Sequence, residues 1–274
     1  MLHPDDEPIV QRERSIPGMR VLLDNDVSTK MFQASFQGLG VRAAICKYLR
    51  YKPGTSCIAA FTLSTEVGDI WAHAIAYRAD ATDKIVKAKQ SVLRCPDLRA
   101  VLIEQAVVIS LFPFDDDLQS LGLLGCSAEQ KIFLRKLAPH DEELHSAPIT
   151  TLRYKPQRRY VGRIDVNDAP QAILKLHSLT EYQQARRAAK SLQSISGISA
   201  AKVIGHSDRH RAILLKWVAG TSLSELINNG TASLYGIMKD LGGFLKELHS
   251  HSGIKLPTIN VNKQQRSLII LPHE

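Results

Sequence analysis

The chain has 274 residues, of which 44% are hydrophobic and 23% are charged. This balance is typical of a folded globular protein and excludes a wholly disordered one. Its length allows two domains of ordinary size. Its formal net charge of +8 suits an anionic partner, which could be a nucleic acid, a membrane surface or a phosphate-bearing ligand.

Neither a membrane span nor a secretory signal is predicted. The longest apolar stretch, residues 100–114, contains Glu104 and Gln105 and is too short and too polar to cross a bilayer. The N-terminus is acidic and polar, whereas a secretory signal needs a basic start and an apolar core. We therefore expect a cytoplasmic protein without membrane contact.

No metal site or disulfide framework is predicted either. The four cysteines form no CxxC pair, so we expect free, mostly buried thiols. The acidic run 115–117 is expected to cap the start of a helix, where carboxylates accept hydrogen bonds from free N–H groups. His206 and His210 have the spacing of a metal pair, but the residues around them indicate a polar turn between two strands.

A pentapeptide, LRYKP, occurs twice, at residues 49–53 and 152–156. An internal repeat has to be recognised first because it determines the whole fold assignment. Each copy is followed by a strand-like run behind a Pro-containing turn, residues 57–63 in the first and 160–166 in the second. Both copies are therefore predicted to open with a β-hairpin.

After each hairpin, a strand leads into a helix. Residues 74–83 align with residues 172–181, and the helices are predicted to continue over residues 83–93 and 181–192. A last strand that leads into another helix follows in both copies, as residues 106–121 and 212–226, with Phe112 aligned to Trp217.

The alignment predicts different roles for the two copies. It matches Tyr77 to Lys175 and Asp83 to Glu181. Because a tyrosine cannot supply the positive charge of a lysine, we expect the first copy to be a scaffold or an interaction module. The predicted fold is α+β and consists of two tandem units: residues 1–145, with a helical lead-in and a linker, and residues 146–274.

Three motifs of the second copy occur in a recognisable order. They are AILK at residues 172–175, LLKWVAGTSLSEL at residues 214–226 and LGGFLKELH at residues 241–249. Together with the hairpin before them, they resemble the N-lobe of the protein-kinase-like fold, in particular that of the aminoglycoside phosphotransferase and choline kinase group. In this resemblance, the second motif is the hinge and the third is the helix that precedes the catalytic loop.

The resemblance implies a binding site for ATP. It assigns Lys175 to the nucleotide phosphates and Glu181 to that lysine as its carboxylate partner. A lysine on a rigid strand supplies a point charge that orients the phosphates, and its glutamate holds it in place. The main chain of Lys216 and Val218 is expected to contact adenine at the hinge.

The hairpin of the second copy has no GxGxxG motif. The resemblance therefore implies that Lys155, Arg158 and Arg159 cover the phosphates with side-chain cations in place of backbone amides. The same basic run alternates partly with Tyr154 and Tyr160, a pattern that could also serve nucleic-acid binding. A nucleic acid is not the partner that we expect.

The catalytic half of such a phosphotransferase is missing from this sequence. The resemblance implies a C-lobe with a catalytic His and Asp, an Asn and a further Asp that binds Mg²⁺, but the last aspartate here is Asp240. We therefore assign no catalytic residue and no metal ligand. We expect an interrupted protein that is not catalytically complete and that needs a C-lobe from elsewhere to bind Mg²⁺.

A non-catalytic, pseudokinase-like scaffold or interaction protein is the alternative. The predicted helix over residues 234–248 carries its apolar residues on one face. We expect that face to pack against the missing C-lobe or a second chain. The alternative predicts no affinity for nucleotides.

Overall fold

A computed structural model describes residues 2–193, 200–228 and 234–250 of the chain. They form a mixed α+β fold with two five-stranded antiparallel sheets, and this confirms the predicted α+β class. None of the helices in these ranges is long and apolar enough to cross a membrane.

The first sheet is preceded by three helices and contains a fourth within its connections. The helices are α1 (Glu7–Arg12), α2 (Met19–Leu23), α3 (Asn25–Ser35) and, between β3 and β4, α4 (Thr82–Val92). The strands are β1 (Ala43–Lys52), β2 (Ser56–Thr65), β3 (Gly68–Tyr77), β4 (Arg99–Leu102) and β5 (Val107–Leu111). They are hydrogen-bonded in the order β1-β2-β3-β5-β4.

The second sheet follows a segment that contains a 3₁₀ helix, Gln119–Leu124, and two α-helices. These are α5 (Ser127–Leu137) and α6 (Glu142–His145). The strands are β6 (Ile149–Lys155), β7 (Arg159–Val166), β8 (Ala169–His177), β9 (Val203–Ser207) and β10 (Ala212–Lys216), with α7 (Leu179–Gln193) between β8 and β9. They pair in the order β6-β7-β8-β10-β9, the same order relative to the chain as in the first sheet.

The described residues divide into two compact units. The first contains the described residues up to Tyr182 together with Ile204–Trp217, and so holds both sheets apart from Val203. The second contains the described residues of Gln183–Val203 and those from Val218 onward, including α8 (Leu223–Asn228) and α9 (Leu234–Ser250). The predicted division into residues 1–145 and 146–274 stays a prediction.

Each sheet buries one face in its own core because side chains alternate between the two faces of a strand. In the first core, α2 and α3 pack on alternate residues of β2, β3 and β5, and Phe32 meets Phe61 edge to face at 5.2 Å. In the second core, α5 and α6 pack on alternate residues of β7, β8 and β10. Full burial of one large apolar side chain contributes about 1.5–3 kcal/mol to stability.

The register of the strands corrects one detail of the sequence alignment. Ile75 pairs with Val108 on β5, and Lys175 pairs with Ile213 on β10, at the same place in the two sheets. Ile75, and not Tyr77, is therefore the counterpart of Lys175. The sequence alignment contains no gap, but residues 78–81 separate β3 from α4, whereas Ser178 alone separates β8 from α7. The strands were therefore misaligned by two residues.

The last motif of the sequence, residues 241–249, lies within α9. This helix contains the whole of the predicted apolar helix and exposes large side chains, with Tyr235 84% and Met238 49% exposed. The apolar run near the C-terminus, residues 267–274, lies outside the described part of the chain.

Candidate functional site

The second sheet has one apolar face and one basic face. The residues of β7 and β8 that alternate inward, such as Tyr160, Leu174 and Leu176, belong to the buried core. The residues between them point to the opposite side. On that side, Arg159 lies opposite His177, and Val161 lies opposite Lys175. We call Arg159, Val161, Arg163, Ile173, Lys175 and His177 the basic face.

Three cationic or titratable side chains are adjacent on the basic face. Lys175 and Arg159 are half-buried, and His177 is only 4% exposed. Burial lowers the pKa of Lys175, and the charge of Arg159 lowers it further. Burial also lowers the pKa of His177 to about 4, assisted by Arg159 and Lys175 and opposed by Glu181. The protein therefore disfavours additional positive charge at this place.

Several buried nitrogen atoms of the basic face have no hydrogen-bond partner in the described part of the chain. They include both ring nitrogens of His177 and Nε of Arg159. Buried polar atoms are normally hydrogen-bonded, and an unpaired one costs about 1–3 kcal/mol. A ligand with several anionic oxygens would provide acceptors for Arg159 Nε and for the single N–H of the neutral His177 ring, and would balance the positive charge.

The resemblance implied that Glu181 pairs with Lys175, but in the structure Glu181 pairs with Arg158. The Arg158 guanidinium donates from Nε to the Glu181 carboxylate at 2.5 Å. The reason is the position of the β6–β7 turn, which we define as residues 155–158. The Ser178 N–H, directly before α7, donates to the Arg158 carbonyl at 2.8 Å, so the turn lies beside the first turn of that helix.

The remaining predicted site residues are Lys155, Lys216 and Val218. Lys155 ends β6, and its Nζ lies 5.4 Å from the centre of the Tyr48 ring. Lys216 ends β10 opposite Ala172 and is exposed. Val218 follows in the second unit and is 59% exposed. The structure therefore brings Lys155 and Arg158 into one turn, while the adenine contacts of Lys216 and Val218 stay predictions.

Arg159 was predicted as one of the hairpin cations that cover the phosphates, whereas His177 is not among the predicted site residues. Arg159 belongs to the basic run of the hairpin, but the sequence does not indicate which members of that run share a face with Lys175. Alternation along β8 could have placed His177 beside Lys175, since the two are separated by one residue. The strand register is needed to show that Arg159 lies on the same face as these two residues.

The equivalent face of the first sheet is closed. It carries two arginines on its edge strands, Arg50 opposite Ile58 and Arg99 opposite Ser110, and these pair with Gln157 and Asp116. The residues of this face include Ile58, His73 and Ile75, all at most 3% exposed. Tyr154 of the second sheet lies against this face, and its hydroxyl is 3.0 Å from His73 Nδ1. Burial lowers the pKa of His73, so the imidazole stays neutral there. No cluster of cations comparable to the basic face is present among these residues.

A cavity of about 440 Å³ lies between α4 and the end of β3 in the first unit. Its lining carries charges of both signs, and Arg99, one of these residues, forms a two-armed ion pair with Asp116 at 2.6 Å and 3.1 Å. The charged and polar residues that line it are Tyr77, Lys84, Lys87, Gln90, Ser91, Arg94, Arg99, Asp116, Asp117 and Gln157. The buried Arg99 is therefore paired with the exposed Asp116 without a ligand.

In the described ranges, no group of three or more His, Cys, Asp or Glu side chains could hold a metal ion. The acidic run was predicted to cap the start of a helix, and this is wrong. Asp115 Oδ1 accepts from the N–H groups of Asp117 and Leu118 at 2.9 Å and 3.1 Å, but it does so in a turn before the 3₁₀ helix Gln119–Leu124, which has no side-chain cap. The chain matches no family model, no curated protein and no solved structure.

Proposed function

We propose that the basic face binds the phosphates of a nucleotide, ATP in the first instance. The chain would then be the nucleotide-binding portion of an ATP-dependent small-molecule phosphotransferase of the aminoglycoside phosphotransferase type. The observation that carries the proposal is the set of Arg159, Lys175 and His177, which lie together and have no carboxylate partner in the described residues.

The order of elements supports the same proposal. A hairpin, β6–β7, is followed by β8 with Lys175, by α7 with Glu181, by the pair β9–β10 and by α8. This is the order of the N-lobe that the second copy resembles. The start of α8 also has a regular cap, since Ser222 and Glu225 exchange side-chain-to-backbone hydrogen bonds at 3.0 Å and 3.2 Å.

We further propose that the two sheets are copies of one unit. Besides the shared strand order, a residue with a positive φ angle directly precedes β5 and β10, Ala106 at 50° and Arg211 at 51°. Their carbonyls accept from the N–H groups of Tyr77 and His177 at 2.9 Å and 3.0 Å. In this proposal the first copy has become a scaffold.

In the proposed complex, each residue has a simple task. Lys175 and Arg159 neutralise and orient the phosphates, and Arg158 holds the β6–β7 turn against Glu181. Val161, which lies beside Lys175, offers an apolar surface next to the phosphates. Bound ATP would supply the phosphoryl group.

The variant Lys175→Met tests the proposal. Removal of one charge-assisted hydrogen bond should weaken ATP binding by roughly 10- to 100-fold, because such a bond contributes about 1.5–3 kcal/mol. Isothermal titration calorimetry would measure this. The stability of the fold should not fall, since Met fills the half-buried position without the desolvation that lowers the pKa of Lys175.

Lys52→Ala is the matched control. Lys52 belongs to the first LRYKP pentapeptide and is exposed at the end of β1, so its removal changes the net charge equally and should leave ATP binding within about twofold. Wild-type protein that shows no binding at millimolar ATP would overturn the proposed function. Equal losses in the two variants would show that the net charge, and not the basic face, attracts the nucleotide.

A non-catalytic scaffold is the second candidate, and the closed face of the first sheet favours it. It accounts for His73 and Ile75 as packing residues and for the exposed apolar side chains of α9. It predicts a stable complex or dimer and no affinity for ATP. Light scattering at high protein concentration would contradict the dimer if the chain stays monomeric.

A further inference from the structure

The two copies of LRYKP make the same unusual hydrogen bonds. In the first, the Tyr51 hydroxyl and the Gly54 N–H both donate to Oε2 of Glu13, at 2.5 Å and 2.8 Å. In the second, the Tyr154 hydroxyl and the Gln157 N–H both donate to Oδ2 of Asp115, at 2.8 Å and 2.9 Å. We call each arrangement a carboxylate clamp, since one oxygen holds the tyrosine and the turn behind it.

The second clamp crosses between the two sheets. Asp115 follows β5 of the first sheet, whereas Tyr154 and Gln157 belong to β6 and the β6–β7 turn. Asp115 is 4% exposed and Tyr154 is 1% exposed, so both clamp bonds are shielded from water and are stronger than surface hydrogen bonds. The other oxygen of Asp115 is fixed by two backbone N–H groups, so the carboxylate cannot rotate freely.

The turn that the second clamp holds is strained. Gln157 has a φ angle of 62°, in the left-handed region that costs a residue with a side chain about 1 kcal/mol. The first turn has Gly54 at this place, with a φ angle of 60°, where glycine bears little steric cost. A strained turn persists only when its surroundings hold it, and the acceptor for the Gln157 N–H is Asp115.

We propose that Asp115 is the positioning residue of the β6–β7 turn, and that the segment after the first sheet thereby fixes the cations which cover the nucleotide phosphates. The inference rests on the proposed function of the basic face. Asp115 acts through the turn because it holds Gln157, while Lys155 and Arg158 lie within two residues of Gln157 and Arg159 begins the next strand. This gives the first copy a task that needs no ligand of its own.

The variant Asp115→Asn tests the inference. An amide places its NH₂ group either toward Tyr154 and Gln157 or toward Asp117 and Leu118, so two donors lose their acceptor in each orientation. We expect ATP binding, measured by calorimetry, to weaken about tenfold. Tyr154→Phe, which removes one clamp bond and keeps the ring, should weaken it by a smaller factor.

Glu13→Gln is the matched control because it breaks the same clamp in the first copy. Both variants should lose thermal stability, but Glu13→Gln should leave the ATP affinity within about twofold. If the two variants weaken ATP binding equally, or if neither weakens it, Asp115 does not position the turn for phosphate binding.

A second measurement keeps the inference independent of ATP. Amide hydrogen exchange should accelerate at least about tenfold at Gln157 and Ser178 in Asp115→Asn, and at Gly54 and Thr55 in Glu13→Gln. If wild-type protein does not bind ATP, the proposed function fails, and exchange alone decides whether Asp115 positions the turn. Unchanged exchange at Gln157 in Asp115→Asn would refute that role.

Discussion

Tyr154→Ala is expected to lower the free energy of unfolding by about 4 kcal/mol. The Tyr154 ring is 1% exposed and makes edge contacts with Trp71 and Phe112, both at 6.2 Å between ring centres. Its removal leaves a cavity between the two sheets and takes the hydroxyl away from Asp115 and His73. Urea denaturation followed by tryptophan fluorescence would measure the loss.

Two further variants separate the contributions of the ring and the hydroxyl. Tyr154→Phe keeps the ring and should cost about 1–2 kcal/mol, the range for a lost buried hydrogen bond. Tyr51→Ala changes the equivalent tyrosine of the first copy, which is only half-buried, and should cost less than Tyr154→Ala. Equal costs for the two alanine variants would contradict the view that Tyr154 holds the two sheets together.

His177 should make the protein less stable in mild acid. Its pKa is about 4 in the folded protein, against 6.5 for an ordinary histidine, because burial and the nearby Arg159 disfavour the imidazolium. The unfolded state therefore binds the proton more tightly, and stability is lost as the pH falls through 6.5 toward 4. Between pH 8 and pH 5, this one group should reduce the free energy of unfolding by about 2 kcal/mol.

His177→Phe isolates this effect, since it keeps a ring of similar size without a titrating group. Urea denaturation of both proteins at pH 8 and pH 5 should show a decrease that is about 2 kcal/mol smaller in the variant. His73 contributes its own loss in acid, because its pKa is also lowered by burial, but it does so equally in both proteins. Identical pH dependence in the two proteins would contradict the assignment.

Sequence periodicity predicts the local elements well because they depend on neighbouring residues. The helix predicted over residues 83–93 is α4, Thr82–Val92, and the strand predicted over residues 160–166 is β7, Arg159–Val166. A polar turn was predicted around His206 and His210; His210 does lie between β9 and β10, but His206 belongs to β9 itself. Alternating and helical patterns of apolar residues suffice for such assignments.

Contacts between distant residues could not be predicted in the same way. The resemblance to a kinase-like N-lobe implied that Glu181 pairs with Lys175, but the β6–β7 turn brings Arg158 to that carboxylate. The counterpart of Lys175 in the first copy was misplaced because the loops before α4 and α7 differ in length. Strand register and loop path decide these contacts, and neither is visible in composition or periodicity.

One signal for the carboxylate clamps is nevertheless present in the sequence. Glu13 precedes Tyr51 by 38 residues, and Asp115 precedes Tyr154 by 39 residues. Both acids lie upstream of the LRYKP pentapeptides, which begin at residues 49 and 152, so a repeat that starts at the pentapeptide leaves them out. In the proposed duplication, the nearly equal spacings would extend the repeat upstream to an acidic residue in each copy.

The second carboxylate clamp determines how the chain can be divided for experiments. A fragment that begins at residue 146 would contain every strand of the second sheet but not Asp115, so the Tyr154 hydroxyl and the Gln157 N–H would lose the acceptor that both share. It would also lack α5 and α6, which cover the apolar face of that sheet. A fragment meant to isolate the basic face should therefore begin before Asp115, and even then Tyr154 would be exposed where His73 and Trp71 now cover it.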